Sequence, residues 1–356
     1  MSKPRILVIY FSQSGQLRSI LDSTLSQVAQ QMDLSYVSIQ PQTPWPFPWK
    51  TSSFFDAMPE CVVQQPAPVK PLPDAIKKGD YDLIILGWQP WFLHPSQPIT
   101  AFLQSPDAAI LSGKPVITIV GSRNMWLNAG EKIKEQLIGL QARLVGSLVF
   151  TDSNSNLISL LTIIRWSFSG RREATRWLPQ AGVQDADIQK AVRFGAPILE
   201  YAQALAEARF NSQGAASHLQ ETYPDERASD EFRAEMVTLD PDAQNNVPEH
   251  TSEEAALHPK LMSLGAIQLN TGLVLLEQRG IKNFRFWAKY IREKGGPGAL
   301  ERQSRVTNFK RLLITAVFIL SPISSFTAFI QRNLQKKRLL KDVDYFKSLE
   351  YEKGRI

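Results

Sequence analysis

Apolar residues along the N-terminal half of this chain fall into two alternating kinds of run. Continuous runs rich in Val, Ile and Leu occupy residues 6–11, 36–39, 81–87, 116–121 and 143–150, a pattern that predicts strands buried on both faces. Between them apolar positions recur at helical spacing over 17–32, 98–103 and 129–142, and a long helix is expected over 187–209. Strands alternating with helices predict an α/β fold built on a five-stranded doubly wound parallel sheet. In such a sheet, ligands bind beyond the carboxyl ends of the strands.

The unusual residues lie at those ends. After the first run come Ser12, Ser14 and Gly15, where a helix N-terminus, a tight turn and two hydroxyls suit an anion; an ordinary helix cap is the plainer alternative. After the third run, Gln89, Pro90, Trp91 and Phe92 form an aromatic loop pinned by Pro90, Pro95 and Pro98. That loop suits a flat conjugated ligand, or else packs as a satellite core. After the fourth, Gly121, Ser122, Arg123 and Asn124 offer backbone donors ahead of Trp126 and another helix. His94 is the one histidine of four near these loops, a candidate base or a structural hydrogen-bonding group. The sequence shows no paired carboxylates, metal cluster, nucleophile elbow or Lys-containing phosphate loop, which points to chemistry without a metal.

Residues 41–73 hold nine prolines together with Trp45, Phe47, Trp49, Phe54 and Phe55. Such a loop is expected as a lid or greasy wall over the ligand; the alternative, a proline-rich ligand for another protein, would leave the aromatics in water. Residues 156–172 form an apolar stretch too short to span a bilayer, expected as a core or an interfacial helix.

The net charge of +6 conceals an asymmetry. Residues 218–260 carry eleven Asp and Glu against three Lys and Arg, whereas residues 281–356 carry seventeen Lys and Arg against six Asp and Glu. Inside the basic region lies the uncharged stretch 312–330, so an anionic membrane surface fits better than nucleic acid. Ser321 and Pro322 interrupt it and basic residues flank both sides, which predicts a bent hairpin dipping into the leaflet, with a single span and then a buried soluble helical pair as the alternatives. A further helix with an aromatic, basic end is expected over 261–294, either interfacial or core. The expected organisation is therefore a ligand-binding domain over 1–211, an acidic linker over 212–260 and a helical, membrane-associated region over 261–356. A single cysteine, Cys61, excludes an internal disulfide and fits a reducing compartment. With an N-terminus expected as a first strand rather than a signal peptide, the expected location is the cytoplasmic face of the inner membrane, monotopic or held by a single C-terminal segment.

"YFSQSGQL", "GWQPWFLHPSQPITAFL" and "GSRNMWLNAGEKI" resemble the phosphate loop and the two flavin-ring loops of flavodoxin-like proteins. "GWQPWFLHPS", "GSRNMW", "IREKGGPG" and "KDVDYFKSL" are similar to the dialkylresorcinol condensing enzymes, an aromatase family. The resemblance covers residues 3–152 and the tail motifs. It implies FMN as cofactor, held by Ser12, Gln13, Ser14, Gly15, Gln16, Leu17, Gln89, Pro90, Trp91, Phe92, Gly121, Ser122, Arg123, Asn124 and Trp126, with NAD(P)H as a further candidate. Leu17 stands where the family has its last phosphate-loop hydroxyl, a role left to Ser19 or Arg18. The implied activity is aromatisation of a dialkyl cyclohexane-1,3-dione to a dialkylresorcinol lipid at the membrane surface. The implied partners are a lipophilic ring substrate, a ketosynthase and membrane lipids. A membrane-bound NAD(P)H:quinone reductase and a flavin-free scaffold that recruits a ketosynthase remain open alternatives.

Overall fold

Ile6, Leu7, Val8 and Ile9, Leu83 to Leu86, and Val116, Ile117, Ile119 and Val120 are all withdrawn from water, as central strands covered on both faces require. A computed structural model describes residues 3–222, 269–318 and 321–355; for 212–222, 317–318 and 321–325 it describes the backbone alone. In chain order the elements are β1 (Arg5–Tyr10), α1 (Gln16–Leu25), β2 (Asp33–Ser38), three short helices α2 (Thr51–Asp56), α3 (Met58–Val62) and α4 (Asp74–Lys77), and β3 (Leu83–Trp88). A small hairpin of β4 (Pro90–Trp91) and β5 (His94–Pro95) precedes α5 (Gln97–Leu103), β6 (Pro115–Ser122), α6 (Leu127–Gly139) and β7 (Arg143–Thr151). Helices α7 (Asn156–Ser169), α8 (Asp185–Lys190) and α9 (Gly195–Thr222) follow, then α10 (Thr271–Arg292), α11 (Leu300–Phe318), α12 (Ser321–Leu334) and α13 (Lys336–Phe346).

The main sheet is parallel, in the order β2-β1-β3-β6-β7. This is the flavodoxin-like doubly wound order, whose switch point lies between β1 and β3. Alternate residues feed two cores. Ile6, Val8, Ile85 and Ile117 face α1 and α9 through Ile20, Leu21 and Ile198. Leu7, Ile9, Ile84 and Val116 face α5 and α6 through Ile99, Phe102, Ile133 and Leu137. The helix expected over 187–209 is broken: a 3-10 turn, Ala191–Phe194, separates α8 from α9. Gly195 begins α9 where a Cβ would stand 2.8 Å from the Thr24 carbonyl oxygen, so the chain passes α1 only with glycine there.

The proline-rich stretch is not structureless, since it contains α2 and α3. The aromatic helix expected over 261–294 is α10, which starts only at Thr271, where Asn270 caps it by accepting from the Gly272 and Leu273 N–H groups, and it is packed on the sheet domain. A Cβ on its Gly280 would fall 2.7 Å from Leu93 Cδ1, and Phe284 meets Phe92 with ring centroids 6.0 Å apart. Arg302 of α11 is fully buried between Glu60 and Asp56, with guanidinium contacts of 2.7–2.9 Å to their carboxylates. The acidic stretch lies outside the described residues from 223 onward.

Candidate functional site

At the switch point, β1 is followed by Phe11, whose N–H donates to the Gly87 carbonyl. The chain then turns through Ser12 to Gly15, with Gly15 in the left-handed region at φ 84°. Gly15 caps α1 with no side-chain hydrogen bond, which leaves the first N–H groups of α1 open to an anion. Beside them the Ser12 hydroxyl is buried and without a partner among the described residues. Gln13 donates to the carbonyl of Pro46 in the lid at 3.3 Å. Gln16 and Leu17 need correction as ligand residues in their side chains. Gln16 is spent on both backbone groups of Val183, and Leu17 is buried in the core against α1's own face of the sheet. They offer backbone N–H groups only. Neither substitute for the missing hydroxyl is free: Arg18 pairs with Asp22 at 2.8 Å and lies over Tyr36, and the Ser19 hydroxyl returns to the Gly15 carbonyl.

The second loop is a hairpin rather than an open loop. Trp91 pairs with His94 across it, and its turn residues Phe92 and Leu93 both have positive φ, 49° and 65°. Such a turn normally takes Asn or Gly, and here tertiary contacts impose it. The Leu93 carbonyl accepts from Asn128 Nδ2 at 2.7 Å, and Gly280 leaves room for the Leu93 side chain. Beneath, Cys61 Sγ points at the carbonyls of Trp91 and Pro95, and burial pushes its thiol pKa up. The Trp91 ring meets Trp49, Trp45 and Phe11 edge-on at centroid distances of 5.2, 5.3 and 5.9 Å. The lid is thereby fixed over the hairpin, and the Trp49 N–H donating to the Ser167 carbonyl and Phe47 against Trp166 tie it to α7.

His94 is 2 % exposed, with Nδ1 2.9 Å from the Phe92 carbonyl oxygen. Burial first, then the nearby cations Arg285 and Lys132, lowers its pKa to about 4. The expectation of a catalytic base meets a neutral imidazole holding its own hairpin turn. A base works best with a pKa near the operating pH, so the geometry favours the structural role.

At the end of β6, the Ser122 hydroxyl and Asn124 Oδ1 are buried without partners among the described residues. Arg123 and Asn124 both donate to Asn156 Oδ1, at 3.0 and 2.9 Å, which ties this loop to the start of α7. Burial lowers the Arg123 pKa to about 10 against the opposing pull of Asp152. Trp126 is buried beneath Gly130 of α6, so its ring serves packing rather than the loop surface.

One site residue escaped the sequence reading. Glu277 of α10 is fully buried, and its Oε1 accepts the Asn128 N–H at 2.8 Å, capping α6 directly behind the third loop. Desolvation raises its pKa to about 7, opposed by the N–H groups of Asn128, Leu127 and Trp126. The signal was there: Val274, Glu277 and Ile281 share one helical face, and an acid amid apolar neighbours seeks a buried donor. A separate cleft of about 640 Å³, lined by Val62, Val63, Arg285, Lys289 and Arg292 among others, includes no residue of the three loops.

No family model matches the chain, and a search of curated proteins finds no match. Solved structures do resemble it. A flavodoxin from the domain Archaea aligns at 15% identity over 56% of this chain and 99% of its own, with a TM-score of 0.32. A WrbA-like flavodoxin from Agrobacterium tumefaciens aligns at 12% identity over 56% of this chain and 98% of its own, TM-score 0.33. A flavoprotein from Lactobacillus acidophilus, in complex with FMN, aligns at 17% identity over 41% of this chain and 93% of its own, TM-score 0.32. The flavodoxin-like assignment of this chain stands on its own strand order and parallel register.

Proposed function

We propose that this chain is an FMN-dependent oxidoreductase acting on a lipophilic ring. The observation that carries the reading is a set of three buried oxygens without partners among the described residues, Ser12 Oγ just after β1 and Ser122 Oγ and Asn124 Oδ1 at and just after the end of β6, with an uncapped helix N-terminus following Ser12. Buried polar atoms are rarely left unpaired, and a ligand rich in donors and anionic oxygens would pair them. The phosphate would lie on the α1 N–H groups and the hydroxyls of Ser12 and Ser14. The ring would be held by Gln89 to Phe92 and Gly121 to Asn124, walled by Trp45, Trp49 and Trp91. When bound, FMN supplies a two-electron acceptor: a dialkyl cyclohexane-1,3-dione loses one hydride and one proton and becomes a dialkylresorcinol.

The chain's own residues do the rest. The three tryptophans present flat apolar walls that orient a ring and exclude water. The lid is held shut by its bonds to Gln13 and α7. Arg123, within the third loop and held on Asn156, would supply a positive group that favours a ring carrying developing negative charge. The test is reconstitution with FMN followed by anaerobic mixing with a short-chain 2,5-dialkylcyclohexane-1,3-dione: the yellow colour should bleach and resorcinol should form. Bleaching by NAD(P)H with turnover of quinone, and none by the dione, would replace this reading with quinone reduction. A chain that takes up no flavin would leave a scaffold that recruits a ketosynthase.

A further inference from the structure

Helices α11 and α12 carry a group of exposed large apolar side chains. Leu312 is 47%, Ile314 46%, Phe326 64%, Phe329 54%, Ile330 43% and Leu334 81% exposed, and soluble surfaces rarely gather large apolar side chains in this density. Cations border them: Arg311, Arg332, Lys336, Lys337 and Arg338 are exposed, Lys310 is half-buried, and no acidic residue occurs between Arg302 and Lys341. No helix among the described residues is long and apolar enough to cross a membrane. The 14 residues of α12 reach only about 21 Å at ~1.5 Å per residue, short of a hydrocarbon core of about 30 Å.

We infer that the exposed side of helices α11 and α12 is a docking surface for an anionic lipid leaflet, its apolar residues entering the interface and its cations lying among the headgroups. An apolar face ringed by positive charge is what such a leaflet complements. The face is also anchored inward. Arg279 of α10 donates to Gln331 Oε1 at 2.6 and 2.9 Å and to the Thr327 hydroxyl, so α12 is bolted to the helix that carries Glu277. Leu313 packs on the cluster of Phe55, Phe284, Trp287 and Phe309. That cluster continues through Phe92 and Phe54, whose centroids are 4.8 Å apart, to Trp49 and Trp91. One apolar body therefore joins the docking face to the ring-binding loops.

The test is flotation of the full-length chain with phosphatidylglycerol vesicles and with phosphatidylcholine vesicles, at low salt and in molar salt, where charge is screened beyond about 3 Å. Wild type should float with the anionic vesicles and stay bound in molar salt. Phe326→Ser with Phe329→Ser should weaken partitioning by roughly tenfold or more. Lys336→Glu with Lys337→Glu should weaken binding to anionic vesicles and leave neutral ones little changed. Wild type left in the vesicle-free fraction, release of all protein by salt, or a serine pair that floats like wild type would each overturn the inference. So would a lipid-free dimer, seen by light scattering, that the serine pair dissociates without any vesicle binding. FMN absorbance read in the same fractions separates this outcome from the flavin reading, since floating protein without flavin refutes only the latter.

Discussion

Replacing Glu277 with Gln isolates the charge that joins α10 to the third loop. In the folded chain its carboxyl pKa is raised to about 7 by burial, whereas in the unfolded chain it takes the ordinary value of about 4.3. The folded state thus holds the proton more tightly. Its stabilising contribution is complete below about pH 4 and is lost as pH rises through about 7. At about 1.4 kcal/mol per pH unit, the gap corresponds to roughly 3 kcal/mol lost between pH 5 and 8. Gln keeps the acceptor for Asn128 and cannot ionise, while placing an amide where Oε2 has no partner among the described residues, at a cost of about 1–2 kcal/mol. Urea denaturation of both chains from pH 5 to 8 is the assay. Wild type should lose roughly 3 kcal/mol relative to Glu277→Gln across that range, a difference that cancels titrations the two share. Parallel pH profiles would refute the buried, titrating cap.

Other outcomes follow from the same structure. Ser14→Asp should expel FMN by repulsion from its phosphate while riboflavin binding changes less; equal binding of both ligands by the variant, compared by fluorescence titration, would place the phosphate elsewhere. Trp91→Ala should weaken flavin binding more than Trp126→Ala, because Trp91 faces Trp45, Trp49 and Phe11 whereas Trp126 lies beneath α6. Arg302→Met leaves Glu60 buried without its bidentate partner and should destabilise the chain by about 3–5 kcal/mol, read by thermal or urea unfolding. Gly195→Ala drives a Cβ to 2.8 Å from the Thr24 carbonyl and should cost about 1–3 kcal/mol, measured the same way.

The central strands were legible because burial on both faces makes β1, β3 and β6 continuous apolar runs. Their order was not, since pairing β1 between β2 and β3 depends on contacts that no local pattern encodes. The β4–β5 hairpin escaped because Phe92 and Leu93 lack the turn chemistry that announces a positive φ. Prolines hid α2 and α3, whose helical geometry rests on packing beneath Trp91 and on Arg302 rather than on propensity. The three loops were legible as clusters of polar and aromatic residues at strand ends. The roles within them were less so: Gln16, Arg18 and His94 carry suitable groups, yet each is committed to a neighbour distant in sequence or to its own turn. Composition alone places a boundary at residue 260, and contacts run across it. A cut there would remove Glu277, Gly280 and Arg302, which brace the third loop, the hairpin tip and the lid from outside.

The most direct measurement of the central claim is an FMN titration of the full-length chain followed by flavin fluorescence and visible absorption, with Ser12→Ala run alongside. Stoichiometric quenching of the flavin by the neighbouring tryptophans is predicted. Affinity should fall roughly fivefold to tenfold in Ser12→Ala, whose hydroxyl would lose one bond to phosphate, with its urea midpoint unchanged or raised by loss of an unpaired buried oxygen. FMN that stays free and fully fluorescent, or binds both chains equally, would contradict the account.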